Sequence, residues 1–142
     1  MPTGRSEITT AALAGRIFVA GGIGHFGTTG AFEVYDPKTD HWRAIADIPA
    51  PRGGHTAAAV AGLIHVTGGE ALSPARVFAE HWVFDAAGNR WATLPDPPTP
   101  RHGLDSVSID GEWYVIGGGT GAGARTLVTL TNVIEIYTPR NR

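Results

Sequence analysis

Gly22-Ile-Gly-His-Phe-Gly27 is the first stretch of this chain whose residue types could do chemistry. Glycines in that pattern let a backbone approach a pyrophosphate, provided a strand leads in and a helix N-terminus meets the phosphates. A strand is expected before it, but Thr28-Thr29-Gly30 runs directly into Phe32-Glu-Val-Tyr35, another strand pattern. Residues 117–123 fail in the same way. Both stretches read as turns, and no nucleotide site is expected. Six histidines stand at 25, 41, 55, 65, 81 and 102 without His-x-x-x-His or comparable metal spacing. Neither a metal nor another cofactor is expected. His65 reads as a partly buried aromatic substitute, and His41 and His81 as neighbours of outer strands. His25 and His102 fall on loops, with Glu70 close by. Glu7, Glu70 and His102 are the one set able to supply acid and base groups for a sugar-converting site.

Composition narrows the classes. The chain has 142 residues, the size of one ordinary domain, with 20 Gly, 10 Pro and 42% apolar residues, so a packed core with many turns is expected. A formal net charge of −2 without charge blocks argues against a nucleic-acid surface or a polybasic membrane patch. No cysteine is present, which removes disulfides, thiolate metal sites and cysteine catalysis. No apolar run approaches the ~20 residues of a membrane helix, and MPTGRSEITT lacks the apolar core of a signal peptide. Cytoplasm is the default compartment.

These residues sit in a repeat. Arg5, Arg52 and Arg101 each stand 16 residues before a Gly-Gly pair, Gly21-Gly22, Gly68-Gly69 and Gly117-Gly118. Each is followed after 10 residues by Gly15, Gly62 or Gly111. Those glycines predict hairpin turns joining residues 6–13 to 16–20, 55–60 to 63–67 and 104–109 to 112–116. The second strand of each pair is apolar at nearly every position and reads as covered on both faces. A third strand follows over 31–35, 80–84 and 132–137, then a turn and a short fourth strand led by Trp42 or Trp91. Tyr35 to Trp42 and Phe84 to Trp91 are both steps of 7 residues. Only the interval between strands two and three varies, so that loop is expected to carry specificity. Four antiparallel strands per ~50-residue unit describe a β-propeller blade.

The markers Arg5/Gly21-Gly22/Tyr35/Trp42, Arg52/Gly68-Gly69/Phe84/Trp91 and Arg101/Gly117-Gly118/Tyr137 resemble the kelch repeat across essentially the whole chain. Phe84 stands where that pattern has tyrosine, and the third copy has no tryptophan. The resemblance implies an all-β fold of kelch-type blades in an incomplete ring: blade 1 over 5–46, blade 2 over 52–94, and blade 3 over 101–138 without a fourth strand. Since the chain ends at Thr138-Pro139-Arg140-Asn-Arg, three readings stay open. It is a piece or shortened form of a longer propeller, two copies associate into one ring, or it is an open arc of three blades. The arginines read as structural forks for backbone carbonyls, and the tryptophans and strand-three aromatics as packing between blades.

The resemblance also implies a binding module without catalysis, recognising a protein or carbohydrate through the loops after strands two and four. Kelch adaptors of ubiquitin ligases hold acidic peptides with arginines just after the repeat arginine and just after the glycine pair. The matching residues are Ser6, Glu7, Gly53, Gly54, His102 and Gly103, then Ile23, Glu70 and Gly119, none of them arginine. Arg76 and Arg125, on the longer loops, are the candidates to replace that charge, beside Glu7, His25, Glu70 and His102 on the same face. Kelch enzymes offer the alternative. Galactose oxidase-like copper chemistry needs a cysteine that is missing, while a sialic acid epimerase-like site would rest on Glu7, Glu70 and His102. A truncated product without independent function is the remaining alternative.

Overall fold

The computed structural model describes residues 1–139; Arg140, named above, lies outside them. Strands β1 (Thr9–Leu13), β2 (Arg16–Ala20), β5 (Phe32–Asp36) and β6 (His41–Ala44) form a first antiparallel sheet in that order. Between them β3 (Ile23–Gly24) and β4 (Gly27–Thr28) make a small separate hairpin. The second sheet runs β11 (Arg90–Leu94), β10 (His81–Asp85), β8 (Leu63–Leu72), β7 (Gly53–Val60), with β9 (Ala75–Val77) paired to the end of β8. The third contains β12 (Asp105–Ile109), β13 (Glu112–Ile116) and β14 (Ile134–Tyr137). A 3-10 turn, η1 (Gly123–Val128), sits in the connection from β13 to β14. The first strands line up side by side, β7 packing between β1 and β12. Among the described residues the three sheets form an arc of blades without closing a ring.

The hairpins follow from two residues each. Ala14-Gly15, Ala61-Gly62 and Asp110-Gly111 all adopt left-handed backbone, φ 50 and 73, 49 and 79, 51 and 83 degrees. That geometry is a type I′ turn, whose twist matches the strands it joins. It sets one register, Ala12↔Ile17, Ala59↔Ile64 and Ser108↔Trp113.

Two cores lie between the sheets. Ala11, Phe18, Ala20, Phe32 and Val34 of the first sheet meet Ala57, Ile64, Val66, Trp82 and Phe84 of the second. The second core is smaller: Ala58 and Val60 against Trp113 and Val115, with Leu104 and Tyr137 at its edge.

Three expectations need correction. The second strands are not all covered on both faces. β8 is, but Ile17 of β2 and Ile116 of β13 are exposed, because each belongs to a sheet with a neighbour on one side only. Tyr35 and Trp42 stack with centroids 4.9 Å apart on the open face of the first sheet rather than between sheets. Glu70 is not in a loop, since β8 continues through Gly68-Gly69 to Leu72 and pairs Glu70 with Val77 of β9.

Candidate functional site

The three repeat arginines are buried forks. Arg5 donates from Nε to the Gly21 carbonyl at 2.7 Å, Arg52 from Nη1 to Gly68 at 2.9 Å, and Arg101 from Nη1 to Gly117 at 2.7 Å. Each also meets a carboxylate of its own sheet's third segment: Glu33 at 2.7 Å, Glu80 at 3.1 Å and Glu135 at 2.8 Å. Removing a guanidinium from water is costly, and these carbonyls and carboxylates compensate. Burial pulls the Arg52 guanidinium down to about 10 against the opposing pull of Glu80. Burial alone would raise Glu33, but its hydrogen bonds and the charge of Arg5 hold it below the usual carboxylate value. Sequence reasoning missed these carboxylates. Glu33 and Glu135 stand two residues before Tyr35 and Tyr137, a signal that was available. The matching place in the second unit is Trp82, and there Arg52 lies over the Trp82 and Phe78 rings at 4.2 and 3.9 Å.

The expected ligand residues share one end of the sheets but divide in role. Glu70 and His102 come together: Glu70 Oε1 lies 3.1 Å from His102 Nδ1, both side chains being buried. Glu70 Oε2 accepts the Gly123 N–H at 2.6 Å, and His102 Nε2 meets the Gly121 carbonyl at 2.9 Å and Thr126 Oγ1 at 2.8 Å. The pair therefore pins the β13–β14 connection onto the second sheet, leaving neither side chain free to exchange protons with a substrate. Glu7 is exposed, its carboxylate over Gly53 and Gly54. His25 is exposed at the β3–β4 tip, edge-on to Phe26 at 4.8 Å. Among the described residues no group of three or more His, Asp or Glu is placed to hold a metal.

Of the other histidines His41 is exposed on β6, and three are interior. His55 is buried against Gly21 of the first sheet, both its ring nitrogens lacking partners, and burial lowers it to about 3. His65 and His81 face each other with Nδ1···Nε2 at 2.9 Å. Burial lowers both, His65 to about 4. His81 was expected beside an outer strand; it is buried because β10 lies inside the second sheet. The stretch spelling the dinucleotide pattern forms the β3–β4 hairpin, without the helix that such a site requires.

Two concavities among the described residues bear on a ligand. A groove of about 680 Å³ runs along the first strands, lined by Thr9, Thr10, Thr56, Asp105 and Ser106, with Thr56 and Ser106 hydroxyls bridging the sheets at 2.7 Å. A cleft of about 490 Å³ lies between the β8–β9 hairpin and the η1 connection. Arg76 and Arg125 line it from opposite sides, with Thr120 and Thr129 between. Arg76 stacks on Phe78 at 4.2 Å and pairs with Glu80 at 3.3 Å, so its position is set from below. Arg125, Leu127 and Val128 are exposed on η1.

The sheets, turns and arginine forks agree with what known proteins display in sequence. A family profile described as the KLHDC2/KLHL20/DRC7 Kelch-repeats domain matches residues 1–118. The chain is 36% identical over 69 residues to mouse "Influenza virus NS1A-binding protein homolog", covering 49% of this chain and 11% of that protein. It is 34% identical over 71 residues to "Kelch-like protein 40" of Xenopus laevis, 50% and 12% of the two chains. Beta-scruin of Limulus polyphemus is 37% identical over 70 residues, 49% and 8%. The matched stretch thus spans about a tenth of these relatives' own lengths. With three units repeating one arginine fork, one turn geometry and one sheet order, the chain belongs to the kelch-repeat family.

Proposed function

We propose that this chain is a non-catalytic protein-binding module whose ligand sits in the cleft between the β8–β9 hairpin and the η1 connection. The observation that carries this is the pairing of Arg76 and Arg125 across that cleft, next to the exposed apolar Leu127 and Val128. Two guanidiniums select an acidic group, preferably a carboxylate that each can hold bidentately. Exposed apolar side chains beside them favour a peptide over a sugar, since such patches mark protein contacts. One relative is itself named for binding another protein, NS1A. The sugar-converting alternative has less support, because Glu70 and His102 are fully engaged in holding a loop.

A peptide array graded in acidic content tests the reading. Retention rises with acidic content, falls with added salt, and is lost in the Arg76→Glu/Arg125→Glu double variant. Binding that ignores peptide charge, or survives the double variant, rejects it.

A further inference from the structure

Where the variable connections return to their sheets, the first and third units carry one residue pattern and the second carries another. Backbone bonds fix the correspondence, since the second glycine of each pair accepts the N–H of Thr29, Phe78 or Thr131, each time at 2.9 Å. From there the units read on in steps of two: Thr29, Ala31, Glu33, then Thr131, Val133, Glu135, but Phe78, Glu80, Trp82. In the first and third units the threonine hydroxyl accepts the N–H two residues on, at 3.1 Å both times. The glutamate there serves only its own sheet's arginine. The second unit changes all three positions at once.

That change does more than the Arg52 fork requires. Arg52 keeps a carboxylate, Glu80 at 3.1 Å, but its side chain is 35% exposed, against 4 and 16% for Glu33 and Glu135. The other oxygen of Glu80, Oε1, reaches Arg76 Nη2 at 3.3 Å. Phe78 is shared in the same way, with Arg52 over its ring at 3.9 Å and Arg76 at 4.2 Å. Two guanidiniums held this close repel, and behind burial the Arg76 charge adds to the lowering of Arg52. One carboxylate placed on both offsets that repulsion. Both shared residues are themselves fixed by the backbone. Phe78 is buried with its N–H on the Gly69 carbonyl, and the Glu80 carbonyl accepts from Thr67 Oγ1 at 3.2 Å.

From this shared ring and shared carboxylate we infer, resting on the acidic-ligand reading of the cleft, that Phe78 and Glu80 are positioning residues for Arg76. Neither lines the cleft, so both act through that guanidinium. A free surface arginine loses rotamer entropy when it grips a carboxylate, and one already stacked and paired loses less. Glu80 occupies one of the five guanidinium donors and leaves the others to a ligand. Divided between two cations, its single charge does not neutralise Arg76. The second sheet thus ties its ligand arginine to the same two side chains that hold its scaffold arginine.

Two measurements on the full chain test this together: arginine Nε–H relaxation without ligand, and titration with a labelled peptide of alternating glutamate and alanine. The Arg76 Nε–H is expected to be more ordered than that of exposed Arg43. Phe78→Leu leaves Arg52 its Gly68 carbonyl, Glu80 and the Trp82 ring. It frees Arg76 and weakens peptide binding about two- to fivefold. Phe78→Tyr keeps the aromatic face and leaves both readouts as in the wild type. Glu80→Gln also loosens the Arg76 signal, since an amide offers one acceptor oxygen to two guanidiniums. An Arg76 as mobile as Arg43 in the wild type, or unmoved by Phe78→Leu and Glu80→Gln, overturns the inference. So does a Phe78→Leu variant that melts lower yet keeps Arg76 order and peptide affinity, since Phe78 would then serve Arg52 alone. An ordered Arg76 that Phe78→Leu releases, with no peptide bound by the wild type, upholds the positioning and rejects the acidic-ligand reading instead.

Discussion

Phe18 and Phe32 on the first sheet hold the repeat positions that His65 and His81 hold on the second, and each pair faces the following sheet. The phenylalanines meet at 5.9 Å and pack on Phe84 at 6.4 and 4.9 Å, with Trp91 5.2 Å from Phe32. The histidines meet at 5.1 Å and pack on Trp113 and Tyr137 at 5.0 to 5.7 Å. Backbone geometry is the same; chemistry is not. The aromatic cluster of the first seam is hydrocarbon, with His55 unpartnered beside Gly21 at its end, while the aromatic cluster of the second itself buries His65 Nε2 and Trp113 Nε1 without partners. Unsatisfied buried polar atoms cost free energy that aromatic carbons do not. One scaffold therefore carries an aromatic cluster of carbon in its first seam and a titratable one in its second.

The largest effect comes from breaking the first seam's aromatic cluster. Phe84→Ala removes the ring on which Phe18, Phe32 and Trp91 converge. Its expected cost is about 3–5 kcal/mol, read from urea denaturation midpoints. Tyr137→Ala at the matching place costs less, because Tyr137 is only partly buried at the edge of the smaller core.

Acid sharpens the contrast. His65 is held at about 4 and His55 at about 3, both by burial, against an ordinary 6.5. Above pH 6.5 neither state is protonated there, and these groups add no pH dependence. Between 6.5 and the folded values, the unfolded chain takes up protons that the folded chain refuses. Stability therefore falls as pH falls, by up to about 1.4 kcal/mol per pH unit for each histidine. The double substitution His65→Phe/His81→Phe copies the first seam into the second. It is expected to flatten the dependence on pH by removing His65 and His81 from it, leaving the share from His55. Melting temperatures between pH 7 and 4 check this; an unchanged slope would mean the second seam is not where acid acts.

Smallest is Glu70→Gln. It removes the charge facing His102 and weakens the hold on Gly123, worth about 1–2 kcal/mol locally. Hydrogen exchange at the Gly123 amide speeds up while the melting temperature moves little, because η1 buries none of its residues.

Much of this fold was legible from spacing. Arg-to-glycine intervals located the hairpins because a two-residue turn admits one register and left-handed backbone favours glycine at its second place. Tyr35 and Trp42 were misplaced for a reason of the same kind. Their spacing reports a face of a strand, not whether another sheet covers that face. Glu70 and His102 lie together in the fold, yet their occupation by Gly121, Gly123 and Thr126 could not be read, since it depends on how a variable connection folds back. Glu33 and Glu135 were readable and overlooked.

By itself the amino-acid sequence determined the units: where strands begin, which turns join them, and which arginine opens each one. Those are local matters of backbone conformation and alternation, decided within some twenty residues. Only tertiary structure decided which apolar faces are covered, which carboxylate meets each arginine, and that Arg76 and Arg125 line one cleft. Such outcomes depend on contacts between residues from 28 to 53 positions apart, which spacing alone does not encode.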